Sequence, residues 1–196
     1  MSVSELSTST QNYLKAIWGL KEWSSEPVTA TLIAKQLGLK LSSVSDAVRK
    51  MAKQGLVSHT PYGSVELTEL GRQYALVMVR RHRLLESFLV QALGYTWDEV
   101  HNEAEDLEHA VSDMLIERVD KFLDYPTRDP HGDPIPTVDG QITIPSAHRL
   151  TDSSAQSQVT VERISDSDPQ LLKFLEERGI VTGAVLSTRE GAPFSD

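Results

Sequence analysis

Two stretches of the chain carry side chains able to hold a metal ion. One is His101-Asn-Glu-Ala-Glu-Asp-Leu-Glu-His109; the other, earlier, holds His82 and Glu86. Residues three and four apart share a face of an α-helix. His101, Glu105, Glu108 and His109 therefore fall within roughly 100° of one helical wheel, beside an apolar arc of Leu107, Ala110, Val111, Met114 and Leu115. A single His–Glu pair is more simply a solvated surface. Four donors on one face, with a second pair nearby, favour a metal, because first-row divalent ions need several donors converging from a rigid frame. Every donor is a carboxylate oxygen or an imidazole nitrogen, and the chain has no cysteine. That set suits Mn²⁺ or Fe²⁺ and excludes thiolate sites and disulfides. Copper and zinc would still bind tightly in a test tube, so selectivity falls to coordination number and cellular supply.

Helices must position these donors. Apolar spacing predicts helices over residues 10–23, 29–37 and 43–54, the last capped by Ser42 and closed by Gly55. A hairpin follows across 56–68, turning at Pro61-Tyr-Gly63. A long helix from Thr68 to Leu93 carries His82 and Glu86, and the metal helix is expected over 98–112, with a further helix over 113–123. Residues 124–157, punctuated by five prolines, read as an extended connector. A strand over 158–164, a helix over 169–178 and a strand over 184–188 make a small α+β module. Such a module is marginal as an independent core and is expected to be incomplete or to lean on the rest.

Residues 29–54 read as helix, turn, helix, with the hairpin as a wing. The second helix exposes Ser42, Ser43, Ser45, Asp46, Arg49, Lys50 and Lys53. Short hydroxyls at a helix N-terminus can enter a major groove, and the cations can meet phosphates. The plainer alternative is a structural bundle with a solvated basic face. Net charge is −9, which alone argues against nucleic acid, but it is unevenly spread. Residues 1–75 hold eight Lys/Arg against six Asp/Glu, and the remainder eleven against twenty-two. Bound cations would relieve the repulsion within that acidic remainder. With no signal peptide and no apolar run long enough to span a bilayer, a cytoplasmic protein without membrane contact is expected.

Three segments carry a family resemblance: Val79-Arg-Arg-His-Arg-Leu-Leu-Glu86, then Glu99 to Asp113, then Asp129-Pro-His-Gly-Asp-Pro-Ile-Pro136. Together they resemble the diphtheria-toxin-repressor family of metal-dependent transcription regulators, most of all its manganese regulators. The resemblance implies a mainly α fold with small β elements. Residues 1–75 would form a winged helix-turn-helix, 76–140 a helical metal-binding and dimerisation domain, 141–157 a linker and 158–196 a partial SH3-like module. It implies an ancillary metal site of His82, Glu86 and His101, completed from the third module by Asp168 and Gln170. It implies a primary site of Glu105, Glu108 and His109, with Asn12 standing where the family often has Asp or Met. Iron-sensing members commonly have cysteine at the position of Glu105, so a carboxylate there points to manganese. The implied function is a manganese(II)-activated homodimeric repressor of metal-uptake and homeostasis genes, with two ions per subunit. Its DNA partner would be a pseudo-palindromic double-stranded operator, and its shared seam would run along Leu107, Val111, Met114, Leu115 and Phe122. An iron(II)-responsive repressor is the alternative. A di-metal carboxylate enzyme and a metal-independent winged-helix regulator are the rivals from other classes; no nucleophile or second Glu-x-x-His helix supports an enzyme.

Overall fold

The computed structural model describes residues 3–60 and 63–189. Its order is α1 (Thr8–Glu22), α2 (Ala30–Gln36), α3 (Leu41–Lys53), β1 (Val57–His59), β2 (Val65–Leu67), α4 (Glu69–Leu93), α5 (Trp97–Leu107), α6 (Asp113–Phe122), β3 (Gln158–Thr160), α7 (Pro169–Glu176) and β4 (Val185–Ser187). The chain divides into two compact units. One comprises residues 1–81 with 136–141, the other 82–135 with 142–196. Helix α4 begins in the first and ends in the second. No described helix is long and apolar enough to cross a membrane.

The first unit is built on the apolar faces of α1, α2 and α3. Tyr13, Leu14 and Ile17 meet Ile33, Ala34, Val44, Val48 and Met51 in one core, which Val57 and Val65 of the hairpin extend. The hairpin is antiparallel, pairing Val57 with Leu67 and His59 with Val65. Of the expected Pro-Tyr-Gly turn, Pro61 and Tyr62 lie outside the described residues. Thr29 caps α2, accepting from the Leu32 amide. Helix α3 starts earlier than the capping signal at Ser42 suggests: Lys40 occupies the cap position in extended conformation without a side-chain bond. Ser42 therefore sits in the first turn, and the Ser45 hydroxyl donates back to the Leu41 carbonyl.

In the second unit, α4, α5 and α6 share a core of Leu84, Leu85, Leu89, Val100, Ala104, Ile116 and Val119. Thr96 and Glu99 form a capping box at the start of α5. This helix ends at Leu107, five residues short of the expected limit at Ser112. The reason is local. The Ala110 amide bonds Leu107 at i−3, and Ser112 turns extended to cap α6, accepting from Leu115. Strand β3 pairs antiparallel with β4, Gln158 opposite Ser187. It is shorter than the alternation predicts, because the Ile164 amide bonds the His131 carbonyl instead of a strand partner. Trp97, Ile164 and Leu172 form a small core there.

Two glycines of the first unit give opposite expectations. A Cβ on Gly71 would lie 1.9 Å from the Leu56 carbonyl oxygen, whereas nothing lies within 4 Å of one on Gly19. Gly71→Ala should cost about 1–3 kcal/mol by overpacking. Gly19→Ala, inside α1, should gain roughly 0.5–1 kcal/mol. Urea denaturation of both variants checks this; equal midpoints would show that Leu56 does not press on α4.

Candidate metal centre

The donors gather in the second unit, where α4 and α5 face each other. His82 and Glu86 are one turn apart on α4, and both are buried. The His82 Nε2 lies 3.1 Å from Glu86 Oε1 and 3.2 Å from His101 Nδ1. His101 Nδ1 lies 3.4 Å from Glu86 Oε1 and 3.1 Å from Asp166 Oδ2. His82, Glu86, His101 and Asp166 thus bring one donor each within 4.8 Å of one another. A second group joins His82 with Glu105 and Glu108, and a third joins Glu86 with Asp129 and His131.

The charges explain why such a cluster persists. Glu86 is fully buried. Burial pushes its carboxyl up, but His82, His101 and His131 outweigh burial and hold it well below the usual carboxylate range. Burial pulls the His101 imidazolium down, yet contact with Asp166 and Glu86 prevails and pushes its pKa up to about 10. Burial raises the Asp166 carboxyl, and the His101 contact more than reverses this, leaving it lowered. Asp129 moves the other way: burial, reinforced by Glu86 and Asp133, raises it well above normal against the pull of Arg83. The Glu86 Oε2 and both His131 ring nitrogens are buried without a hydrogen bond. Buried polar atoms of this kind ask for a partner, and oxygen and imidazole donors converging on one point fit a hard or borderline divalent cation.

The expected residues are placed as follows. His82, Glu86 and His101 come together. Asp168 instead caps α7, its Oδ1 accepting from the Gln170 and Leu171 amides, and Gln170 lies exposed in the first turn of that helix. The carboxylate beside His101 belongs to Asp166. Glu108 is fully buried at the end of α5, with His109 Nε2 3.6 Å from its Oε1. Glu105 Oε1 stands 3.9 Å from His101 Nε2. Asn12 lies on α1 in the first unit, its amide oxygen buried without a hydrogen bond. On α3, Ser42, Ser43, Asp46, Arg49, Lys50 and Lys53 are exposed and Ser45 is half-buried; Asp46 pairs with Arg49.

Asp129, His131 and Asp166 escaped the sequence reading. One signal was available for Asp166. An Asp-Pro step just before an apolar helix is an N-cap followed by N1 proline, so Asp168 was committed to capping and the other aspartate of the run was free for the cluster. His131 and Asp129 are held by the loop itself: Asp129 Oδ1 accepts from the amides of His131 and Asp133.

A buried clamp fastens this loop to the third segment. Asp133 accepts from Arg163 Nε at 2.5 Å and from Arg83 at 3.2 Å. Arg83 also donates to the Pro134 carbonyl at 2.6 Å. Arg128 donates to the Glu162 carboxylate, and Gly132, at φ +89°, approaches so closely that a Cβ would lie 2.1 Å from the Glu162 carbonyl oxygen. Only glycine satisfies both conditions. Asp166, three residues beyond Arg163, is thereby brought to His101. Asp133→Ala would remove the carboxylate that two buried guanidinium groups share, while Arg83 keeps the Pro134 carbonyl and Asp129, 3.7 Å away, at a cost of about 1.5–3 kcal/mol. Chemical denaturation measures this, and a loss under about 1 kcal/mol would show that the clamp is solvated.

The chain is similar to several known proteins. Residues 5–65 match the family described as iron dependent repressor, N-terminal DNA binding domain. Residues 68–137 match its metal binding and dimerisation domain, and residues 148–196 match the FeoA domain. The iron-dependent repressor IdeR of Mycobacterium tuberculosis (strain ATCC 25618 / H37Rv) is 36% identical over 195 residues, covering 93% of this chain and 84% of the relative. A solved manganese-dependent transcriptional repressor in complex with manganese is 51% identical, with a TM-score of 0.88 over 92% of this chain and 83% of that one. ScaR with bound Cd²⁺ is 32% identical, with a TM-score of 0.81 over 94% and 86%. The chain belongs to the diphtheria-toxin-repressor family of metal-dependent transcription regulators, in its manganese-regulator branch.

Proposed function

We propose that this protein is a manganese(II)-activated homodimeric repressor that acts in the cytoplasm on a pseudo-palindromic operator of metal-uptake and homeostasis genes. The observation that carries the reading is the convergence of the buried His82 and Glu86 with the half-buried His101 and Asp166 in a chain that also carries a winged helix. An enzyme is not indicated: the relatives are transcription regulators. Glu105 in place of a thiolate favours manganese over iron.

His82, Glu86, His101 and Asp166 would hold one ion, with Asp129 and His131 as further donors at its margin. Glu105, Glu108 and His109 would hold another, with Asn12 as the ligand that the resemblance adds. A bound divalent cation supplies charge that neutralises the acidic cluster. The protein's own side chains set the rest. The exposed face of α3 presents hydroxyls and cations to DNA. Met114, Leu115 and Phe122 lie 63%, 45% and 67% exposed on α6, an apolar patch of the kind that a symmetric partner covers. Coupling between the ligands is reciprocal, so operator DNA must tighten metal as much as metal tightens DNA.

Operator binding across Mn²⁺, Fe²⁺, Co²⁺ and Zn²⁺ tests the function. Mn²⁺ should raise affinity by roughly 5- to 150-fold, and Asp166→Ala or His109→Ala should remove most of that gain while the fold persists by circular dichroism. A gain identical to the parent's in both variants would refute the ligand assignment. Arg49→Ala and Lys50→Ala should each lower the salt slope of binding by up to about one counterion equivalent; an unchanged slope means that neither meets phosphate. Acid should weaken metal uptake. His101, with its pKa pushed up to about 10, carries a proton at neutral pH that a cation must displace. Metal affinity should therefore rise about tenfold per pH unit for each proton released, between pH 6.5 and 7.5. Calorimetry in two buffers of different ionisation enthalpy reads the released proton directly, and a pH-independent affinity would exclude the displacement.

A further inference from the structure

His82 belongs to two donor groups at once, through opposite edges of its ring. Its Nε2 faces Glu86 and His101 at 3.1 and 3.2 Å. Its Nδ1 lies 2.7 Å from Glu108 Oε2. His101 is placed similarly: its Nδ1 faces Glu86 and Asp166, and its Nε2 turns toward Glu105, 3.9 Å away. Both imidazoles thus give one nitrogen to the four-residue cluster and the other to a carboxylate of the neighbouring group.

A neutral imidazole has one ring N–H and one in-plane lone pair. It can ligate through one nitrogen only, and the other must then donate. The 2.7 Å separation between His82 Nδ1 and Glu108 lies in the range of charge-assisted hydrogen bonds. The four-residue cluster offers more donors to Nε2 than the group of His82, Glu105 and Glu108 offers to Nδ1. Resting on the metal-dependent reading above, we propose that His82 serves the four-residue cluster through Nε2 while Nδ1–H donates to Glu108, making Glu108 a positioning residue for a metal site that it does not touch. Glu108 holds the ring's tautomer and orientation, and a bond of this sort on the far side of a ligating histidine strengthens it as a donor. The same residue is a ligand candidate of the second group through Oε1, which faces His109. One carboxylate thereby links the two clusters, and a change in one is felt in the other without movement of either helix.

The test uses Cd²⁺ as a diamagnetic probe on the full chain. ¹¹³Cd resonance gives a signal for each loaded site, and the signal of the four-residue cluster is the one that Asp166→Ala removes. Long-range ¹H–¹⁵N correlation on histidine-labelled, Cd²⁺-loaded protein should show His82 protonated at Nδ1. Glu108→Leu should lower Cd²⁺ affinity at the assigned site by about 10- to 100-fold. Glu108→Gln, whose amide oxygen still accepts, should lose distinctly less. An Nε2-protonated His82, or an affinity at the assigned site unchanged in Glu108→Leu, overturns the inference while leaving the metal-dependent repressor intact. Failure of the parent chain to take up Cd²⁺ or Mn²⁺ at all overturns both.

Discussion

A single carboxylate, that of Glu86, sets the electrostatic problem that the second unit is built around. It is fully buried on α4, and an isolated buried carboxylate would take up a proton or unfold its surroundings. Three imidazoles from three different segments keep it ionised: His82 from the same helix, His101 from α5 and His131 from the loop after α6. Each must be delivered by its own local structure, so the capping box of α5, the glycine at position 132 and the amides around Asp129 all converge on one charge. A cluster that sets the protonated His101 against the ionised Glu86 already has the geometry to exchange a proton for a cation.

The third segment enters this arrangement through Asp166 rather than through its own small core. Leu172 and Ile164 are buried against Trp97 of α5, and the ion pairs Arg163–Asp133–Arg83 hold the segment after β3 against the loop. Burying two guanidinium groups among the carboxylates of Asp133 and Asp129 is a poor way to gain stability and a good way to fix a position. Asp166 follows from that fixed position, and its contact with His101 makes the donor set four rather than three. The segment thereby contributes a candidate donor, and its marginal core matters less than its anchorage.

Helical spacing alone made much of this legible. The helices and the hairpin follow from period and capping signals, because the apolar residues determine their phase. The grouping of His82 and Glu86 with His101 comes from the family resemblance, since spacing alone places His101 with Glu105, Glu108 and His109. The division of the stripe was harder to read. Helix α5 stops at Leu107, and a single histidine, His82, reaches into two groups, which spacing within one helix does not reveal. Asp129, His131 and Asp166 lie on irregular backbone, where only tertiary bonds such as Ile164 to His131 decide what faces inward. Asp168 illustrates the ambiguity of aspartate: it caps a helix two residues from an aspartate that faces the cluster, and only the following proline tells the two apart.

The central claim is that these buried donors exist to bind a cation. Anomalous diffraction at the manganese edge, from crystals grown with Mn²⁺, addresses it most directly. The account predicts a peak bounded by His82, Glu86, His101 and Asp166, with Asp166 still held by the Arg163 clamp. Manganese scattering confined to surface carboxylates, with the His82–Glu86–His101 cluster closed on itself, would contradict it.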